Sequence, residues 1–452
     1  MVEKNKEYTV EIEDNGYKGE GIAKIDNFTI FIQNAIKGEK VKILIVKVLS
    51  NYAFGKLLEI IKPSPYRVNT DCSAYPRCGG CTYRHIDYEK TLEMKKQTVE
   101  NSLKKENIIP KIIKDTIGMG LPYYYRNKLQ YPFGINQHGE PAMGIYSERS
   151  HEIISIQKCK IQNELSQKIA DDIYKFVLKN NIDVYNEKTL KGILRHIVIK
   201  VGFYTNEVMV ILVVNNPIFP KQDKLITYLK NKYSEIKTIV KNINTENTNV
   251  IFGKENQILY GTGYIQDRLG DYMFKISPLS FYQTNPVQTE LLYNIVLEKA
   301  KLTGKEIVFD LFCGIGTIGI FLSKQAKKVY GIEIIEDAIK DAKENAKINN
   351  ISNIEFHVGE VQKILPTLKD IPNVVIVDPP RRGCETSTIE TLLQMKPEKI
   401  IYVSCNPATL VRDLKKLSEN YTVEEIQPID MFPFTSHVEC VSVLKLKETI
   451  EK

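Results

Sequence analysis

The chain has 452 residues, 43% of them hydrophobic and 26% charged, with 25 Gly and 19 Pro. That length predicts two to four domains, and the composition is that of an ordinary globular protein, which excludes a disulfide-stapled miniprotein, a disordered chain and a collagen-like fibre. A formal net charge of +7 permits a polyanionic partner without requiring one. No apolar run is long enough to span a bilayer and the N-terminus mixes Lys with Glu, so no membrane partner and no secretory signal are expected and the default compartment is the cytoplasm.

Residues 8–60 read as short β-runs, YTVEIE, GIAKI, FTIFIQNAI, KVKILIVKVL and AFGKLLEII, separated by Gly, Asn, Asp and Lys. This spacing predicts a small closed barrel of the oligonucleotide-binding type. Ser64-Pro65 and a Cys-rich loop mark a boundary, and residues 88–107 look helical, with Leu92, Val99 and Leu103 on a charged background. From about 120 to 275 the pattern is mostly strand-like, with one helix near 163–179. Residues 63–160 hold 15 Lys or Arg against 10 Asp or Glu, and carry Tyr123, Tyr124, Tyr125, Arg126, Lys128, Tyr131 and Phe133. Interleaved rings and cations suit stacking on unpaired bases; the competing reading is a solvated basic face over core aromatics.

Beyond residue 305, apolar strands alternate with amphipathic helices: EIVFDLF, a Gly-rich turn and helix, KVYGIE, a helix to 348, NIEFHV, NVVIVD, a helix after 385, KIIYVSC and a helix from about 407. This alternation is the signature of a doubly wound α/β sheet, whose ligands sit at the carboxyl ends of the strands. The residues just past each strand are therefore the informative ones. Cys313-Gly314-Ile315-Gly316-Thr317-Ile318-Gly319 fits G-x-G-x-x-G, and Glu333 closes the next strand 19 residues after Gly314, placed to accept hydrogen bonds from ribose hydroxyls. This turn by itself does not separate a dinucleotide from S-adenosylmethionine.

The fourth strand runs into Asp378-Pro379-Pro380-Arg381-Arg382-Gly383, a stiff loop suited to presenting polar groups to a planar base or a cofactor. The fifth ends in Ser404-Cys405-Asn406-Pro407, where a thiol facing a helix N-terminus is expected to have its pKa lowered, which makes Cys405 a nucleophile candidate. Cys313, Cys384 and Cys440 read as packing residues. DMFPFTSHVE, residues 430–439, meets the start of a last strand, so Glu439 is either a general base or a plain carboxylate, and His437 either a proton carrier or a structural histidine. Cys72, Cys78, Cys81 and the distant Cys159 form a set that, in a cytosolic chain, points to an iron–sulfur cluster, with a structural zinc as runner-up. Its spacing departs from that of radical enzymes, which disfavours a catalytic cluster.

Taken in order, GYKGEGIAKIDNFTIFIQNAIKGEKV, the four cysteines, FYQTNP at 281–286, DLFCGIGTIG at 310–319, DPPRRG, YVSCNPATLVRDL at 402–414 and DMFPFTSHVE resemble the RNA uracil-5-methyltransferases over essentially the whole chain. Within that family they are similar to the 23S ribosomal RNA branch, which carries an N-terminal TRAM domain and a 4Fe–4S cluster. The resemblance implies a multidomain α/β protein: a TRAM/OB-like β-barrel at 1–62, a mixed α+β central iron–sulfur domain at 63–275 whose 88–107 helix packs on the catalytic domain, and a Rossmann-like S-adenosylmethionine-dependent methyltransferase domain at 276–452. It also implies Cys405 as nucleophile and Glu439 as general base, Gln283, Phe312, Gly314, Glu333 and Asp378 around S-adenosylmethionine and the target base, and Cys72, Cys78, Cys81 and Cys159 as cluster ligands. Thr317 and Glu360 depart from the Asn found in some members of that branch. The implied substrate is a uridine of 23S ribosomal RNA, flipped from its stack and bound by a monomer, with the T-loop uridine of tRNA as the alternative.

Overall fold

The computed structural model describes residues 2–148 and 150–448. The N-terminal sheet runs in the order Glu7–Glu11, Lys40–Val48, Tyr52–Lys62, Phe28–Ile32, Gly21–Ile25 and Asp14–Asn15. Its first and last members are consecutive in the chain and form one bent strand. Between them the Ile12 N–H donates to the Glu39 carbonyl at 2.9 Å and the Glu13 N–H to the Ile22 carbonyl at 2.8 Å, so the edges meet and the sheet closes. Alternate residues of the strands, among them Ala23, Ile30, Ile32, Val41, Ile43 and Ile45, are fully buried inside.

The middle sheet is ordered Glu255–Gly261, Ile236–Ile243, Val208–Val214, Leu194–Val201, Lys128–Ile135, Pro141–Met143. Val208–Val214 is buried at every position because both of its faces are covered. Val208, Val210, Leu212 and Val214 meet the helices Glu164–Lys179 and Gln222–Lys232, while Met209, Ile211 and Val213 meet Ile265 and Ile276. The helix Gln222–Lys232 corrects the expectation of a single helix in this stretch. It buries only Leu225 and Leu229, a stripe too thin to stand out from its charged background. Of the two readings of the aromatic run, the core one holds for Tyr125, Tyr131 and Phe133, 1–2% exposed, while Tyr123 and Tyr124 are half-buried at the surface.

The third sheet is ordered Ile354–Val358, Lys328–Glu333, Ile307–Leu311, Val374–Val377, Lys399–Ser404, Glu439–Leu446, Tyr421–Ile429, Ile112–Ile113. The first five strands are parallel; Glu439–Leu446 runs antiparallel to Lys399–Ser404 and to Tyr421–Ile429. Ile112–Ile113, from the central segment, completes the far edge. The hairpin Ile265–Leu269/Tyr272–Ile276 straddles the expected boundary at 275: Ile265 and Ile276 pack on the middle sheet, while Leu269 and Phe274 join the core of the third. Among the described residues no helix is long and apolar enough to cross a membrane.

The helix Tyr88–Lys105 is started by Asp87, whose side chain accepts from the Lys90 N–H. Although it precedes the middle sheet in the chain, it lies on the third, with Val99 and Leu103 packed among Leu410, Leu414 and Leu417. Lys95, on the same face, forms a fully buried ion pair with Asp430, which also accepts from the Tyr88 hydroxyl at 2.9 Å. Breaking a buried pair strands one charge, at a cost of about 3–5 kcal/mol. Lys95→Met is therefore expected to lower the denaturation midpoint strongly, whereas Lys96→Met, one residue on and facing the exposed Asp115, leaves it unchanged; urea unfolding of the two variants checks this.

Candidate active site

The strand Ile307–Leu311 runs straight into Phe312, Gly314 and Gly316, with φ of 64°, 55° and 81°. A left-handed backbone at a bulky residue such as Phe312 stores strain, which is characteristic of sites that hold ligands. A Cβ at Gly316 would sit 2.8 Å from the Phe356 ring, so only glycine fits, whereas one at Gly314 would meet nothing within 4 Å: that face of the turn is open. Glu333 closes the neighbouring strand and accepts from the Gly314 N–H at 3.2 Å and the Ile335 N–H at 2.9 Å. Asp310, just before the turn, is fully buried. One of its oxygens accepts from the Gly319 N–H at 2.8 Å, and the other has no partner among the described residues. Burial pushes its carboxyl up to about 8.

Asp378 follows Val374–Val377, the strand on the other side of Ile307–Leu311. The strand order reverses between these two, which opens a crevice at their carboxyl ends. Burial pushes Asp378 up to about 7. On the strand next to Val374–Val377, Ser404 pairs with Cys440 of the strand beyond. The antiparallel register then sets the next residue of one strand, Cys405, beside the preceding residue of the other, Glu439.

Electrostatics shows that Cys405, Glu439, Asp378 and Arg381 lie within reach of one another. The Cys405 thiol is pushed up to about 11, first by burial and then by the Glu439 carboxyl, with Arg381 pulling it down. Glu439 is raised well above the usual carboxylate range by burial and by Asp378, with Arg381 again opposing. The expectation that a helix N-terminus lowers the Cys405 pKa is thus overturned. Asn406 already caps the helix Pro407–Leu417, accepting from the Ala408 N–H at 3.1 Å, and desolvation outweighs the dipole. His437 is held neutral, lowered to about 4 by burial and by the surrounding cations Arg381, Lys95 and Arg126.

Gln283 lies between the hairpin and the helix Pro286–Ala300. Its carbonyl accepts from the Asn127 side chain at 3.0 Å, and among the described residues its side chain bonds to none of the others named here. Cys313, Cys384 and Cys440 are buried packing residues. Cys78, Cys81 and Cys159 cluster with Phe434, Tyr123 and Tyr125, and the thiols of Cys78, Cys81 and Cys159 are raised by burial and by one another or by Cys72. The Gly80 N–H donates to Cys78 Sγ at 3.3 Å. No three His, Cys, Asp or Glu side chains among the described residues converge closely enough to grip a single metal ion.

Arg381, Asp310 and Tyr293 were not singled out by the sequence as site residues. Arg381 stands within DPPRRG, and its position in that loop was the available signal. Tyr293, whose hydroxyl lies 2.9 Å from Thr317 Oγ1 and whose pKa is raised by burial and by Asp378, Asp310 and Glu439, is one aromatic in a helix and carried no signal at all.

Residues 156–447 match the family described as tRNA (Uracil-5-)-methyltransferase, and residues 2–58 match the TRAM domain. The chain belongs to this uracil-5-methyltransferase family. It is 48% identical to an uncharacterized RNA methyltransferase of Clostridium acetobutylicum, over 98% of both chains, and 47% identical to one of Clostridium tetani, over 98% of this chain and 97% of that one. It is also similar to the crystal structure of Pyrococcus abyssi tRNA (uracil-54, C5)-methyltransferase in complex with S-adenosyl-L-homocysteine: TM-score 0.79, 28% identity, 97% of this chain and 100% of that one. This family member is an RNA methyltransferase. In the free methyltransferase, alkylation of Cys405 by iodoacetamide is expected to accelerate up to about pH 11. Glu439→Gln removes a carboxylate that opposes the thiolate and so moves that midpoint downward, as read by mass spectrometry of the labelled peptide.

Proposed function

We propose that this methyltransferase transfers a methyl group from S-adenosylmethionine to carbon 5 of a uridine in 23S ribosomal RNA, through a transient bond between Cys405 Sγ and carbon 6. The observation that carries the reading is the register that sets Cys405 beside Glu439 at the mouth of a crevice shared with Asp378. Carbon 5 of uracil is too weak a nucleophile to be methylated directly, so a thiolate must first add at carbon 6 and push electron density onto its neighbour. After transfer, carbon 5 still carries its proton; Glu439 takes it, and elimination of Cys405 restores the base.

The proton inventory of the free protein fits this sequence. Cys405 holds its proton at Sγ, and Glu439 is raised by burial and by Asp378, which burial itself pushes up. Arg381 stabilises the thiolate when it forms. S-adenosylmethionine, when bound, supplies a methyl group on a sulfonium cation. Glu333, the open face of Gly314, Phe312 and the unpartnered oxygen of Asp310 are the groups that fit it, with Asp378 and Gln283 proposed to complete the set. A cationic centre in this crevice favours the charged form of Glu439, which is the form a base requires.

The proposed division of labour is a TRAM barrel at 1–62, a central domain at 63–275 and a catalytic domain at 276–452, acting as a monomer in the cytoplasm. The target uridine must leave its stack to expose carbon 6. A cavity of ≈ 600 Å³ lined by Tyr123, Tyr124, Phe203 and Lys168 offers rings and a cation to neighbouring nucleotides. Cys72, Cys78, Cys81 and Cys159 are proposed to hold a 4Fe–4S cluster that staples the central domain. Sulfurs that act on one another and accept amide N–H groups suit a cuboidal cluster. A second reading, the T-loop uridine of tRNA, is favoured by the Pyrococcus abyssi enzyme, whose likeness extends over 97% of this chain, barrel and central domain included.

Cys405→Ala is expected to abolish methylation, and Glu439→Gln to accumulate a covalent RNA adduct visible on a denaturing gel; methylation by Cys405→Ala would overturn the mechanism. Mass-spectrometric mapping of 5-methyluridine in ribosomal and transfer RNA from cells lacking the gene decides between the two substrates. Anaerobically prepared protein is expected to carry about four iron atoms per chain and to lose them, with a drop in thermal stability, in Cys81→Ser; a single zinc in their place would overturn the cluster.

A further inference from the structure

The barrel hairpin between Asp14–Asn15 and Gly21–Ile25 reaches the catalytic loop. The Tyr17 hydroxyl donates to Asn406 Oδ1 at 3.3 Å, next door to Cys405 and 389 residues away in the chain. Asn406 is already a junction: the same oxygen accepts from the Ala408 N–H, and its amide donates to the Arg381 carbonyl at 3.1 Å. The hairpin is also held from beneath. Gly19 has φ of 87°, and a Cβ there would lie 2.5 Å from the Tyr83 ring. Tyr83 is 1% exposed, and both its N–H and that of Thr82 donate to the Phe434 carbonyl at 2.9 Å, five residues before Glu439. The tip of the barrel therefore rests on the segment that delivers the catalytic acid.

What this support presents is a large exposed ring. Tyr17 is 49% exposed, and among the described residues it stacks on no other aromatic. Exposed cations, Lys18 and Arg381, stand in the same two loops. An aromatic fixed at its hydroxyl end, with its face in solvent and cations in the loops around it, has the chemistry of a base-stacking platform.

We propose that Tyr17 is a substrate-positioning residue that stacks on an unpaired base flanking the target uridine, so that the barrel orients the RNA at the nucleophile itself rather than only holding it at a distance. The inference rests on the RNA-methylation reading above. Stacking on an aromatic contributes about fivefold or more in affinity per base. Tyr17→Ala is therefore expected to weaken binding of a substrate RNA by at least about fivefold and to raise KM for RNA by a like factor. The slope of log affinity against log salt stays unchanged, because no phosphate contact is removed. Tyr17→Phe keeps the ring and is expected to bind RNA within about twofold of the wild type. Titration of the variants with S-adenosylhomocysteine is expected to match the wild type, as the cofactor crevice is untouched. RNA affinity unchanged in Tyr17→Ala overturns the proposal. So does a Tyr17→Phe variant as impaired as Tyr17→Ala, which would assign the effect to the Asn406 hydrogen bond, and so does a reduced salt slope, which would assign it to displaced cations. Wild-type protein on RNA containing 5-fluorouridine is the separate arm: absence of an adduct there refutes the methylation reading itself, whatever Tyr17 does.

Discussion

One strand running against the rest of its sheet places the two groups on which the proposed chemistry depends. Had Glu439–Leu446 been parallel to Lys399–Ser404, its first residue would lie at the amino end of the sheet, a strand's length from Cys405. Because it is antiparallel, its start coincides with its neighbour's finish, and Glu439 arrives beside Cys405 at the edge where α/β sheets bind ligands. The same edge receives Asp378 and the Gly314 turn, so Cys405, the two carboxyls and the turn share one rim.

Crowding two carboxyls and a thiol into a buried rim sets their charge. Burial disfavours ionisation of all three, Glu439 and Asp378 further oppose the Cys405 thiolate, Asp378 opposes Glu439, and the exposed Arg381 is the cation that counters this at Cys405 and Glu439. Cys405 and Glu439 of the free site therefore favour their protonated forms, with reactivity that depends on what enters the crevice. A thiol kept protonated until substrate arrives is also shielded from adventitious oxidation and alkylation, since the thiolate is the reactive form.

The rim is braced by parts of the chain far from it in sequence. The segment from Asp430 to Glu439 is gripped by Lys95 and Tyr88 of the early helix, by the Tyr125 hydroxyl on the Pro433 carbonyl, by the Thr82 and Tyr83 amides on Phe434, and by Arg84 lying 4.3 Å from the Phe434 ring centroid. A buried pair such as Lys95–Asp430 contributes little net stability after desolvation, but it penalises any arrangement that separates its members. The central segment is thereby tied to the placement of Glu439.

Strand alternation, the Gly-rich turn, the Asp-Pro-Pro loop and the Cys405 strand end are local patterns, and a reader of the sequence finds them because backbone conformation is encoded within a few residues of itself. The same holds for the barrel, whose interior is a period-two alternation, and it fails for the helix Gln222–Lys232, whose stripe of two leucines is too faint. Lys95 looks like any surface lysine of a charged helix, and Tyr17 like any turn residue. Their placement is decided by contacts 335 and 389 residues away. The sign of the Cys405 shift was likewise beyond the sequence: the helix that follows it is visible in the motif, but the desolvation and the facing Glu439 that outweigh that helix exist only once two distant strands have paired. Chain-local chemistry was determined by the residues themselves; charge state and partnership were decided by packing, because electrostatic and burial energies depend on distance in space and not along the chain.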